Sequence, residues 1–193
     1  MQDGGTAITL LVIGLLTFFG VHLVPTAPSL HDRLVARLGE NGWKGLMSLI
    51  ALAGFVMIVL GWQRAPFLPV YTPPEWGHWL PRVLMLPALI LLAAAYIPSN
   101  VKRYTRHPML WATVIWAVAH LCANGDRRSL LLFGSFLAWS LFDMWSANRR
   151  GARLRDTPVS PVYELAVVVA GTVAYLLFAR FHGALFGVPV MSM

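Results

Sequence analysis

Apolar runs about as long as a bilayer is thick recur along this 193-residue chain, separated by short stretches that hold most of its charge. A hydrocarbon core of about 30 Å takes roughly 20 mostly apolar residues of helix. Six runs of this kind are predicted as helices, at about 6–24, 45–62, 78–97, 108–123, 129–145 and 161–178. Pro25 and Pro28 end the first, because proline cannot donate to a helix. Pro87 lies inside the third and predicts a kink there. Pro108 opens the fourth at a first-turn position where the missing N–H costs nothing, and Asn124-Gly125 closes it. Only 12% of residues are charged, about half the usual share for a soluble domain. The expected fold is all-α, a polytopic transmembrane helical bundle of about six helices, forming a single integral membrane domain over 1–193.

Fifteen Lys and Arg against eight Asp and Glu give a net charge of +7. In a soluble protein that excess would raise nucleic acid as a partner. Here the cations sit between apolar runs and read instead as orientation signals toward a lipid bilayer. Arg33, Arg37 and Lys44 follow helix 1, Lys102, Arg103 and Arg106 follow helix 3, and Arg149, Arg150, Arg153 and Arg155 follow helix 5. Arg64, Arg82, Arg127, Arg128 and Arg180 lie on the other side. This bias predicts a cytoplasmic-membrane protein with both termini outside. The first apolar run lacks a basic leader and is expected to stay as a helix rather than be cleaved. The tryptophans near helix ends, Trp43, Trp62, Trp76, Trp79 and Trp145, read as interfacial anchors. A single cysteine, Cys122, excludes a disulfide framework and a thiolate zinc cage, and there is no nucleotide-binding loop.

Ionisable side chains inside a span cost roughly 2.5 to 3.5 kcal/mol on insertion scales, so each one needs a reason. His22 falls in the last turns of helix 1, His107 at the threshold of helix 4, His120 within helix 4, Asp143 near the end of helix 5 and Glu164 in the first turn of helix 6. Neutral imidazole is the cheapest of these to bury and a strong ligand for iron. Thr113, Trp116 and His120 follow at i, i+3 and i+7, a polar and aromatic stripe that should face protein. Glu164 suits the positive end of a helix dipole. Ser29 is expected to cap a short interfacial helix bearing Arg33 and Arg37 on one face. His31, His78 and His182 are assigned no chemistry.

The segments His22 to Leu34 (HLVPTAPSLHDRL), Gly39 to Phe55, Thr105 to Asp126 (TRHPMLWATVIWAVAHLCANGD) and Phe142 to Arg150 together resemble the bacterial NnrU family over essentially the whole chain. The resemblance implies a role beside nitrite and nitric oxide respiration, with respiratory or denitrification membrane proteins as partners. More weakly, the chain is similar to the plastid 15-cis-zeta-carotene isomerases, membrane enzymes that use haem b with histidine axial ligands. Position by position, that likeness puts axial ligands on His22 and His120. Trp139 and Ser140 stand where the isomerases carry a histidine pair; the resemblance implies haem binding, used for electron transfer, sensing or a redox-gated, isomerase-like reaction. Depth gives a different pairing: His120 lies about 18 Å along helix 4 from its start, at 1.5 Å per residue, and His22 matches His107 better. Tyr104, Arg106, His107 and Pro108 also resemble the cofactor segment of membrane methyltransferases that bind S-adenosylmethionine, where Arg106 and His107 would meet the cofactor. The resemblances thus imply either a haem protein, a noncatalytic assembly partner or a methyltransferase, and leave open whether the chain is an enzyme.

Overall fold

The computed structural model describes residues 3–190, so the outermost residues of the expected single domain lie outside it. Its α-helices are α1 (Asp3–Leu23), α2 (Pro28–Arg64), α3 (Trp79–Tyr96), α4 (Pro108–Ala123), α5 (Arg127–Arg149) and α6 (Pro161–Phe186). Among the described residues there is no strand, only an isolated bridge between Pro69 and Asp126. Five of the helices are long and apolar enough to cross a membrane, and α4 is a shorter apolar helix. The protein is all-α and multi-pass, as its sequence predicts. The chain divides into two compact units.

The first unit holds the chain up to Val70 together with Asp126–Ser135. Its helices α1 and α2 pack at backbone distance. A Cβ placed on Gly61 would lie 2.5 Å from the Leu11 nitrogen, and one on Gly54 would lie 2.8 Å from the Phe18 nitrogen. In lipid, where tails are as apolar as leucine, such close approach supplies the dispersion that holds helices together.

Helix α2 starts earlier than its apolar run. Pro28 takes the first helical position after Ala27, so Ser29 lies inside the helix rather than capping it. Its carbonyl accepts from Arg33 Nε at 2.9 Å. Gly39 then turns the chain at φ 73°, ψ 163°, a conformation that suits a residue without Cβ. The amphipathic segment before it and the apolar segment after it are therefore two helices in line of sequence. Trp43 is only 5% exposed, with the His31 ring edge-on at 6.1 Å. It is a buried residue, not the surface anchor expected.

The end of α2 and the start of α5 close over one buried ion pair. Asp126 accepts from the Ser129 backbone N–H at 3.2 Å and from the Ser129 hydroxyl at 2.6 Å, which caps α5. Arg128 Nε lies 3.3 Å from Asp126 Oδ1. The same guanidinium donates to the carbonyls of Trp62 and Ala65 and lies 4.4 Å from the centre of the Trp62 ring. Arg128 is thus a structural cation rather than a loop charge.

The second unit holds Tyr71–Gly125 and the chain from Phe136 on. Here α3 packs against both α4 and α6, and residues 79–96 stay helical through Pro87, where a kink was expected. A Cβ on Gly171 of α6 would lie 2.6 Å from the Ile90 Cα of α3, and the Tyr175 hydroxyl donates to the Arg82 carbonyl at 2.9 Å.

Two outcomes follow for thermal unfolding in detergent. Gly61→Leu forces α1 away from α2 and should cost about 1–3 kcal/mol, the usual range for overpacking. Asp126→Ala strands the Arg128 charge and should cost about 3–5 kcal/mol, while Asp126→Asn, which keeps a capping oxygen, should lose less.

Candidate functional site

The site is built around the ends of α4. Pro108 starts the helix and His107 precedes it. Without water at hand, the last carbonyls of a helix need donors from the protein. The Tyr71 hydroxyl supplies one, donating to the carbonyls of Leu121 and Asn124, and the Asn124 amide donates to the His120 carbonyl at 2.9 Å. His120 therefore sits on a firmly closed last turn.

Its ring is held just as closely. Nδ1 lies 2.8 Å from the Trp116 carbonyl oxygen, and because a carbonyl only accepts, Nδ1 must carry the proton. That leaves Nε2 as the nitrogen with the lone pair. The Trp116 ring lies 5.5 Å from the imidazole and meets Phe136 of α5 edge-on at 5.4 Å. Of the expected stripe, Trp116 and His120 touch, while the Thr113 hydroxyl turns back to the Met109 carbonyl of its own helix.

His22 repeats the device in the first unit. Its Nδ1 lies 2.7 Å from the Phe18 carbonyl oxygen, and its ring stacks on Phe18 at 4.2 Å and 29°. His107 is held differently: Nε2 lies 3.0 Å from the Asn148 side-chain oxygen, so the proton sits on the outer nitrogen. Arg106 is exposed. His22 and His120 are thus anchored through Nδ1 to a carbonyl of their own helix, and His107 is engaged through Nε2.

His182, assigned no chemistry from the sequence, lies within α6, because the helix continues to Phe186 while its apolar run fades at Phe178. Its Nδ1 lies 2.6 Å from the Val188 carbonyl oxygen, the same proton placement as in His120. Both residues lie at one end of the second unit. The Gly77 backbone at the start of α3 packs on the Cys122 carbonyl, two residues beyond His120. His182 lies two turns beyond Tyr175, which is tied to Arg82 in the first turn of α3.

His120 is one of the described side chains that could hold a haem iron. Among the described residues no three His, Cys, Asp or Glu side chains gather into a metal-binding group. A porphyrin iron needs only one histidine on each face. An Nδ1–H held by a backbone carbonyl orients the ring and raises the basicity of Nε2, the arrangement typical of ligating histidines. Ser140, in the segment of α5 where a histidine pair was the alternative, is fully buried with its hydroxyl unpartnered among the described residues.

The acidic residues serve structure. Asp143 pairs with Arg150 at 3.6 Å. Glu164, in the first turn of α6, accepts from the Asn100 backbone N–H and from the Ser99 hydroxyl.

No curated protein and no solved structure matches the chain. A family model described as NnrU protein matches residues 10–190, nearly the whole of the helical architecture just described. The chain belongs to the NnrU family.

Proposed function

We propose that this NnrU family member is a haem b protein of the bacterial cytoplasmic membrane, with His120 as one axial ligand, acting in electron transfer or sensing beside nitrite and nitric oxide respiration. The observation that carries the reading is the anchoring of His120 through Nδ1 to the Trp116 carbonyl, on a capped last turn, with aromatic rings around it. This places the ring proton on Nδ1 and the lone pair on Nε2, and fixes the orientation of the ring. The loop charges support termini on the outer side.

Haem b supplies a one-electron couple whose potential depends on its axial ligands and surroundings. The chain's own contribution is to hold protons at Nδ1 and to exclude water with Trp116, Phe136 and the apolar helix faces. Two histidine ligands leave no open position at the iron, which suits electron transfer over chemistry on a bound substrate. For the second ligand, the resemblance to the isomerases offers His22, and the shared end of the second unit offers His182. Both are anchored through Nδ1. His107 is the weaker choice, because ligation through Nε2 would break its bond to Asn148.

The test is an ultraviolet-visible spectrum of the purified protein, oxidised and dithionite-reduced, with a pyridine haemochrome assay. A Soret band with sharp reduced α and β bands at about one haem per chain is expected for low-spin ligation by two histidines. His120→Gln should lose that spectrum while remaining folded. Whichever of His22→Gln and His182→Gln turns the haem high-spin names the second ligand, and His107→Gln should leave the bands in place. A colourless, folded protein after expression with ample haem would sink the reading and favour a noncatalytic membrane partner whose histidines are structural.

A further inference from the structure

The loop that joins α3 to α4 and the loop that joins α5 to α6 are laced together along their length. Asn100 makes two side-chain bonds to the Val159 backbone, donating to its carbonyl at 3.0 Å and accepting from its N–H at 2.9 Å. Further along, the Arg155 N–H donates to the Lys102 carbonyl at 2.9 Å, and His107 bonds Asn148. Two links between the loops and a third from His107 to the last turn of α5 make them one platform at an end of the second unit.

The platform concentrates charge of one sign. Residues 97–107 and 146–160 contain seven Lys and Arg side chains and a single carboxylate, Asp156. Some of the cations are committed: Lys102 donates to the Ala95 carbonyl at the end of α3, and Arg150 pairs with Asp143. Arg103, Arg106, Arg149 and Arg153 are exposed, and none of them has a carboxylate partner among the described residues. Arg149 lies 4.2 Å over the Trp145 ring.

Aromatic side chains give the depth of this platform. Tyr104 is 83% exposed and Trp145 51% exposed, and Trp111 and Tyr163 stand exposed in the first turns of α4 and α6. Amphipathic rings at the ends of apolar helices sit at the headgroup level of a bilayer. Cations at that level, unmatched by acids, meet the phosphates of anionic lipids, each worth an affinity factor of roughly fivefold near the surface. A soluble polyanion would have no use for the ring of exposed aromatics.

We propose that the interlocked loops form a binding platform for anionic phospholipid headgroups, read by Arg103, Arg106, Arg149 and Arg153. The site is separate from His120 and stands whether or not haem is bound. Its test is native mass spectrometry of the detergent-purified chain titrated with phosphatidylglycerol or with phosphatidylcholine. Phosphatidylglycerol should be retained at least about tenfold better, and Arg103→Gln/Arg153→Gln should lower its affinity about 20-fold. Arg64→Gln/Arg180→Gln, outside the two loops, should bind as the parent does. If the double variant does not fold, each single variant should still show about a fivefold loss. Equal retention of the two lipids, an equal loss in the Arg64 and Arg180 variant, or displacement of the lipid by millimolar inorganic phosphate would overturn the proposal, the last by marking a site for free phosphate.

Discussion

A helix in a bilayer satisfies its own backbone everywhere except at its ends, and there water cannot be relied on. In this protein the ends are closed by side chains, some of them near in sequence and some brought from far along the chain. Arg128 reaches the last carbonyls of α2, Asp126 caps α5, and Tyr71 closes α4 from 50 residues away. Lys102 does the same for α3. These closures decide where each helix stops and hold the short loops against the helices they join. The lacing of Asn100 to Val159 belongs to the same economy of backbone partners.

The histidines follow from that arrangement. Within a helix, a histidine whose Nδ1 meets the carbonyl four residues back loses rotational freedom and tautomeric choice together. His22 and His120 both do this with an aromatic ring at the same i−4 position, Phe18 in one case and Trp116 in the other. In each case the ring proton is placed on Nδ1 and the lone pair on Nε2. His107 differs because it lies just outside a helix, where Asn148 of α5 can reach its outer nitrogen.

Much of the architecture was legible in the residues, and the misses share a cause. The bounds of α4 are marked by Pro108 and by Asn124-Gly125, and they were read correctly. Helices α5 and α6 run beyond their expected ends, because turns outside the hydrocarbon need no apolar residues and leave no hydropathy signal. His182 lies in such a turn. The spacing of Asp126 and Ser129 at a helix start is a capping signal that could have revealed the role of Asp126. Nothing local marks the carbonyls that Asn100 and Arg128 reach, which lie more than 55 residues away in sequence.

Hydropathy and proline placement by themselves determined that this is an all-α membrane protein, roughly where its helices run, and which histidines lie within or beside them, because the bilayer allows so few solutions for a polar backbone. Matching segments along the chain also marked its family. Tertiary structure alone decided which proton each imidazole carries, that Arg128 is buried on a helix end while Arg103 and Arg153 stay exposed, and that two distant loops become one basic surface. Those outcomes depend on which carbonyls, carboxylates and amides come within about 3 Å of each group, and that is a property of packing between helices rather than of any one segment.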